Sequence, residues 1–150
     1  MSDAAKRQRV VALDLGKSRV GVAISDELGL LAHPRTALDG RNRSALLAAL
    51  KRLVRVDGVG RFLVGLPLNM SGELGTAAHR AARFCQLLAD ATGVEVELVD
   101  ERLSTVQAER ALRAAGTRGG DMQGKVDGAA AAILLQHWLD QRRRHERGLA

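Results

Sequence analysis

The sequence predicts an α/β fold in which a mixed five-stranded sheet is flanked by helices. Two short apolar runs rich in β-branched residues, Arg9–Leu15 and Arg19–Ser25, are separated only by Gly16-Lys17-Ser18, which reads as an antiparallel hairpin. The later strand-like runs are separated by stretches of helical period, which suits helices lying on the faces of the sheet. A length of 150 residues with 46% apolar and 27% charged content suits one globular unit with its own core. The expected organisation is a flexible N-terminus over 1–8, one domain over 9–141 and a basic C-terminal tail over 142–150.

The elements follow in order. Arg9–Leu15 is a strand stopped by Gly16, and Arg19–Ser25 is a strand with Val20, Val22 and Ile24 on alternate positions. A third strand is expected within 28–38, interrupted near His33-Pro34, with Pro34 suiting an edge or a bend. Ser44–Val56 is a helix by the spacing of Leu46, Leu47, Leu50, Leu53 and Val54, ended by Asp57-Gly58. Arg61–Leu66 is a buried-type strand, and 67–75 is a loop by composition. Thr76–Ala91 is a helix with Ala77, Ala81, Phe84, Cys85 and Leu88 on one stripe and Gly93 at its C-terminal cap. Val94–Val99 alternates as a strand. Ser104 and Gln107 form a capping box that opens a further helix. After a Gly-rich loop over 116–124, a last helix runs from about Val126 to Arg143, with Leu134, Leu135, Trp138 and Leu139 facing inward.

Composition narrows the function. The excess of 23 Lys and Arg over 17 Asp and Glu gives a net charge of +6, which suggests a polyanionic partner, most often nucleic acid. Half of that excess lies in Arg142–Arg147, where a solvated helix end is the alternative. Aromatic residues make up only 2%, which weighs against a surface of stacking rings. The single cysteine, Cys85, excludes an internal disulfide and sits in a core stripe, where it is expected to be inert. No run approaches a membrane span and Met1–Arg9 lacks an apolar signal core, so a cytoplasmic protein with no membrane partner is expected. Gly119–Val126 nearly matches a phosphate loop, but Val126 replaces the required hydroxyl. His33, His79, His137 and His145 lack zinc spacing. Trp138 is read as core.

The informative residues are acidic. Asp14 ends an apolar strand, Asp100 and Glu101 end another, and Asp127 lies in the first turn expected for the last helix. A carboxylate in an apolar run is costly unless it is paired or holds a cation. Strand ends in one sheet can gather such groups, and a divalent cation relieves their repulsion. Each acid also has a purely structural explanation. Asp14 could cap the Gly16 turn, Asp100 or Glu101 could face the helix opened by Ser104, and Asp127 could complement its own helix dipole. Alternation does not choose between Asp100 and Glu101.

Four blocks then resemble one family. Asp14–Asp26 (DLGKSRVGVAISD), Gly65–Gly72 (GLPLNMSG), Asp100–Thr105 (DERLST) and Lys125–Leu135 (KVDGAAAAILL) are similar, in order, to the YqgF family, also called RuvX. The resemblance implies an RNase H-like fold and a metal site of Asp14, Glu101 and Asp127, choosing Glu101 over Asp100. It implies two Mg²⁺ or Mn²⁺ ions and a metal-dependent endonuclease that hydrolyses phosphodiester bonds in 5′-end maturation of pre-16S rRNA. Older descriptions of the family, as Holliday junction resolvases acting on DNA, imply the alternative substrate. One departure is Gly128, where Ser, Ala or a larger residue is expected. A helical Gly costs about 1 kcal/mol relative to Ala, which would loosen the hold on Asp127.

If the resemblance holds, the three acids are both catalytic and metal-binding. Lys17, Arg19, Asn69, Ser71, Arg102, Arg118 and Lys125 are then the candidate substrate contacts. Arg19 and Arg102 have the alternative of pairing with a metal-ligand carboxylate. Structured RNA is the expected partner ahead of a DNA junction, with pre-ribosomal particles as its context and the chain a monomer or weak dimer. Two other readings compete: a phosphotransferase of the actin and sugar-kinase type, which generally needs two such domains, and a non-catalytic RNA-binding assembly factor.

Overall fold

A computed structural model describes residues 8–16, 18–66, 74–100 and 123–148. The described strands are β1 (Arg9–Leu15), β2 (Arg19–Ser25), β3 (Ala32–Asp39), β4 (Val59–Leu66) and β5 (Glu95–Asp100). The described helices are α1 (Arg43–Asp57), α2 (Leu74–Thr92) and α3 (Gln123–Glu146). The strands form one mixed sheet in the order β3-β2-β1-β4-β5. β1–β2 and β2–β3 are antiparallel, whereas β1–β4 and β4–β5 are parallel. The five-stranded mixed sheet expected from the sequence is therefore present.

Local chemistry sets the boundaries. Gly16 donates its N–H to the Arg19 carbonyl at 2.9 Å, and a Cβ at Gly16 would lie 2.7 Å from that oxygen, so only glycine closes the hairpin this tightly. Asn42 caps α1 by accepting from the Ala45 N–H, and Gly58 ends the helix with φ of 71°. β4 starts at Val59, directly after that cap and two residues earlier than the periodicity suggests. β3 runs through His33-Pro34 without the expected interruption, because as an edge strand it can spare the proline's missing donor. Its irregularity falls later. Val20 pairs with Leu38 and Val22 with Arg35, so Thr36 and Ala37 together oppose Gly21 in a bulge. The proline and the bulge both blunt this edge against pairing with another chain.

Period-two alternation builds two cores. Val11, Leu13, Val20, Val22, Ile24, Phe62 and Val64 pack on one face against Leu46 and Leu50 of α1 and Phe84 and Leu88 of α2. Val10, Ala12, Ala23 and Leu63 pack on the other against Ala131, Leu134, Leu135 and Leu139 of α3. Trp138 is only partly buried, between the guanidinium groups of Arg61 and Arg142 at 5.7 and 4.8 Å from its ring. α3 extends beyond both expected ends. Asp127 is therefore past the first turn, which weakens the explanation that it serves its own helix dipole. The stretch Arg142–Glu146, expected as part of a tail, is helical.

Gly128 has a packing reason. It is buried, and a Cβ there would stand 3.2 Å from Pro34 Cβ and 3.3 Å from the Arg35 carbonyl oxygen. The glycine lets α3 approach the edge of the sheet. Gly128→Val should destabilise the protein by about 2 kcal/mol despite valine's better helix propensity, because overpacking outweighs that gain. Urea unfolding of the two proteins measures the difference.

Candidate functional site

Asp14 ends the apolar run of β1 and is half-buried. It shares the face of Val10 and Ala12, the side that α3 covers. On β2 its partner is Gly21. On β4, one step beyond the Leu13–Val64 pair, it stands beside Gly65, which follows Leu63 on the same face. Asp14 is thus flanked on both neighbouring strands by residues without side chains. The bulge at Thr36–Ala37 opposes Gly21 and extends the row to the sheet edge. Across the row, Gly65 pairs with Val99 of β5, which also packs on the α3 side.

α3 reaches this row with its N-terminal half. Gly128 approaches Pro34, Arg35 and the carbonyl of Val22, the neighbour of Gly21. Eight residues later, the Gln136 amide accepts from the Ala32 N–H and donates to the Leu30 carbonyl, each at 2.9 Å. These contacts orient the helix so that residues 123–127 lie towards the Asp14 end of the sheet.

Residues 8–141 match the RuvX family, described as Holliday junction resolvase. The chain belongs to the RuvX family. A relative from Anaeromyxobacter sp. (strain Fw109-5), named "Putative pre-16S rRNA nuclease", is 47% identical over 134 residues, covering 89% of this chain and 98% of its own. A relative of the same name from Chloroflexus aurantiacus (strain ATCC 29366 / DSM 635 / J-10-fl) is 43% identical, covering 91% of this chain and 89% of its own. Among solved structures, T. thermophilus RuvC in complex with Holliday junction substrate superposes with a TM-score of 0.55 at 16% identity, covering 91% of this chain and 96% of that one. That likeness bears on the fold, which is the RNase H-like α/β arrangement expected from the motifs. The names attached to the RuvX family and to these relatives all describe nucleases.

Of the sequence-predicted site residues in this RuvX chain, Asp14 and Arg19 have described surroundings. Arg19 is exposed on β2, on the same face as Gly21 and Ala23, and so extends the Asp14 surface towards the hairpin turn. Asp127 and Lys125 are placed as backbone positions of α3. Lys17, Asn69, Ser71, Glu101, Arg102 and Arg118 lie outside the described residues. Gly21 and Gly65 were not anticipated as site residues. An isolated glycine inside a strand pattern was the available signal.

Arg19 also opens onto a groove of about 490 Å³ lined by Ser18, Thr36, Ala37, Leu38, Asp39 and Arg41. There Asp39 accepts from the Arg41 backbone N–H at 2.9 Å and from its Nε and Nη2 at 3.1 Å each. Hydrogen bonds from the Arg41 side chain, then from its backbone N–H, hold the Asp39 carboxyl down at about 2. The folded value lies below the unfolded one, so this contact is fully present above about pH 4 and is lost as pH falls through about 2. Its effect on stability is small because the pair is exposed. A carboxyl-carbon NMR titration should place the Asp39 midpoint near 2, and Arg41→Gln should return it towards the ordinary carboxylate range.

Proposed function

We propose that the protein is a divalent-metal-dependent endonuclease that hydrolyses phosphodiester bonds in precursor 16S rRNA. The observation that carries this reading is the position of Asp14: a carboxylate on a rigid apolar strand, with glycine on both sides. A carboxylate is a hard oxygen donor of the kind that suits Mg²⁺ or Mn²⁺.

In this reading Asp14, Glu101 and Asp127 hold two ions. Position 127 lies on α3, four residues before Ala131. Glu101 directly follows β5 in the sequence. Bound ions would lower the pKa of an attacking water and neutralise charge at the departing oxygen. The chain's residues do the rest. Arg19 and Lys17 engage the substrate backbone beside the hairpin turn. Asn69 and Ser71 contact sugar or phosphate, Arg102 steadies Glu101 or a phosphate, and Arg118 and Lys125 close over the bound strand.

RNA is favoured over a DNA junction because relatives at 43–47% identity over nearly the whole chain carry the rRNA name, whereas the RuvC likeness is one of fold. Processing of rRNA precursors assigns the protein to the cytoplasm, with pre-ribosomal particles as its working partners. Among the described residues no helix is long and apolar enough to cross a membrane.

Asp14→Asn should lower Mn²⁺-dependent cleavage of precursor rRNA by more than about a hundredfold, weaken Mn²⁺ binding and leave RNA binding intact. Unimpaired cleavage would refute the metal site. Matched precursor rRNA and four-way DNA junctions, cleaved in parallel, decide the substrate.

A further inference from the structure

We infer that the groove between β2 and β3 is a second contact site for nucleic acid. It would bind the sugar-phosphate backbone next to the bond cut at Asp14, with Arg41 as its principal residue. The inference rests on the nuclease reading and extends it to a subsite on the edge of the sheet.

The groove carries two arginines, Arg19 and Arg41, against one carboxylate, Asp39, and adds the hydroxyls of Ser18 and Thr36. Arg41 is held in place. Two of its five N–H donors go to Asp39, and three remain for a phosphate. Its side chain is 74% exposed, so those donors meet solvent or a ligand. The pair orients the guanidinium through its Nε and Nη2, both bonded to Asp39. A fixed guanidinium loses less freedom on binding than a mobile one and presents a planar fork suited to phosphate oxygens.

The backbone around the pair is also fixed. Gly40 donates to the Ser18 carbonyl at 2.8 Å, and Arg19 pairs with Asp39 across the two strands. A Cβ at Gly40 would stand 3.1 Å from Val20 Cγ2, so the turn sits tight against β2.

Position selects a polymer over a small anion. Thr36 and Ala37 line the groove and also oppose Gly21, which opposes Asp14. From Asp14 the groove is reached across two strand spacings, on the order of 10 Å. A single phosphate could not occupy both places, whereas a continuous backbone could pass over the side-chain-free gap at Gly21. β3 is the edge strand, so nothing further in the sheet blocks exit on that side.

The test is RNA binding followed by fluorescence anisotropy over a salt series. The probe is a labelled stem-loop of precursor rRNA, with chelator present to prevent cleavage. The proteins are wild type, Arg41→Gln and Arg52→Gln, the last an exposed arginine of α1 on the opposite side of the sheet. Arg41→Gln should weaken binding about three- to tenfold at 0.1 M salt and lower the salt slope by about one. Arg52→Gln should change neither. An Arg41→Gln protein with wild-type affinity and slope would overturn the subsite. So would equal losses in both variants, which would mean general charge rather than a groove. The nuclease reading fails separately, if Asp14→Asn still cleaves. Thermal unfolding confirms that each variant is folded.

Discussion

A carboxylate at the end of an apolar strand is the constraint around which this molecule is arranged. Asp14 is half-buried in β1, where a carboxylate costs free energy unless it is paired. Both adjoining strands place glycine beside it, while Val11 and Leu13 commit the other face of the same strand to the core. One strand thus serves two purposes. Its odd positions hold the sheet to α1 and α2, and its even positions pass from Val10 and Ala12, under α3, to the half-buried Asp14.

Small residues make the second half of the arrangement. Ala12 and Ala23 on the sheet meet Ala131 on α3, and Gly128 brings the helix to within contact of Pro34 and the backbone of Arg35. The helix lies close over the antiparallel side of the sheet and brings its early residues towards the Asp14 row. Elsewhere on the sheet, charge takes over from packing. Asp57, at the end of α1, meets Arg9 at 3.7 Å and Arg35 at 3.5 Å, and Arg9 also reaches Glu27 at 3.4 Å. These partly exposed pairs contribute modestly, but they join β1, β3 and α1.

Much of the fold was legible in the sequence because its signals are local. The tight Gly16 turn, the caps at Gly58 and Gly93 and the stripes through Leu50 and Leu88 each depend on near neighbours. The errors came from tertiary context. Pro34 suits the edge placement that the sequence offers for it, but the interruption expected near His33-Pro34 is absent, and the bulge that follows has no composition of its own. Gly128 looked like a weak helix residue because only the facing strand shows why a side chain is unwelcome there. The site was legible in part. Asp14 stood out as an acid in an apolar run and Arg19 as a cation beside it. Arg41 did not, because its value depends on pairing with Asp39 and on a groove that exists only once β2 and β3 are aligned. Gly21 and Gly65 acquire meaning only through the register that sets them either side of Asp14.

The Gln136 amide bonds residues more than a hundred positions earlier, at Leu30 and Ala32. During synthesis the opening three strands therefore emerge long before the helix that must cover them. At about 5–20 residues per second, the apolar side of the hairpin waits roughly 5–20 s for its lid. Over that interval the nascent chain exposes Ala12, Ala23 and their neighbours to whatever else is near the exit tunnel. The blunted outer strand, with its proline and bulge, then guards an unfinished sheet as much as a finished one.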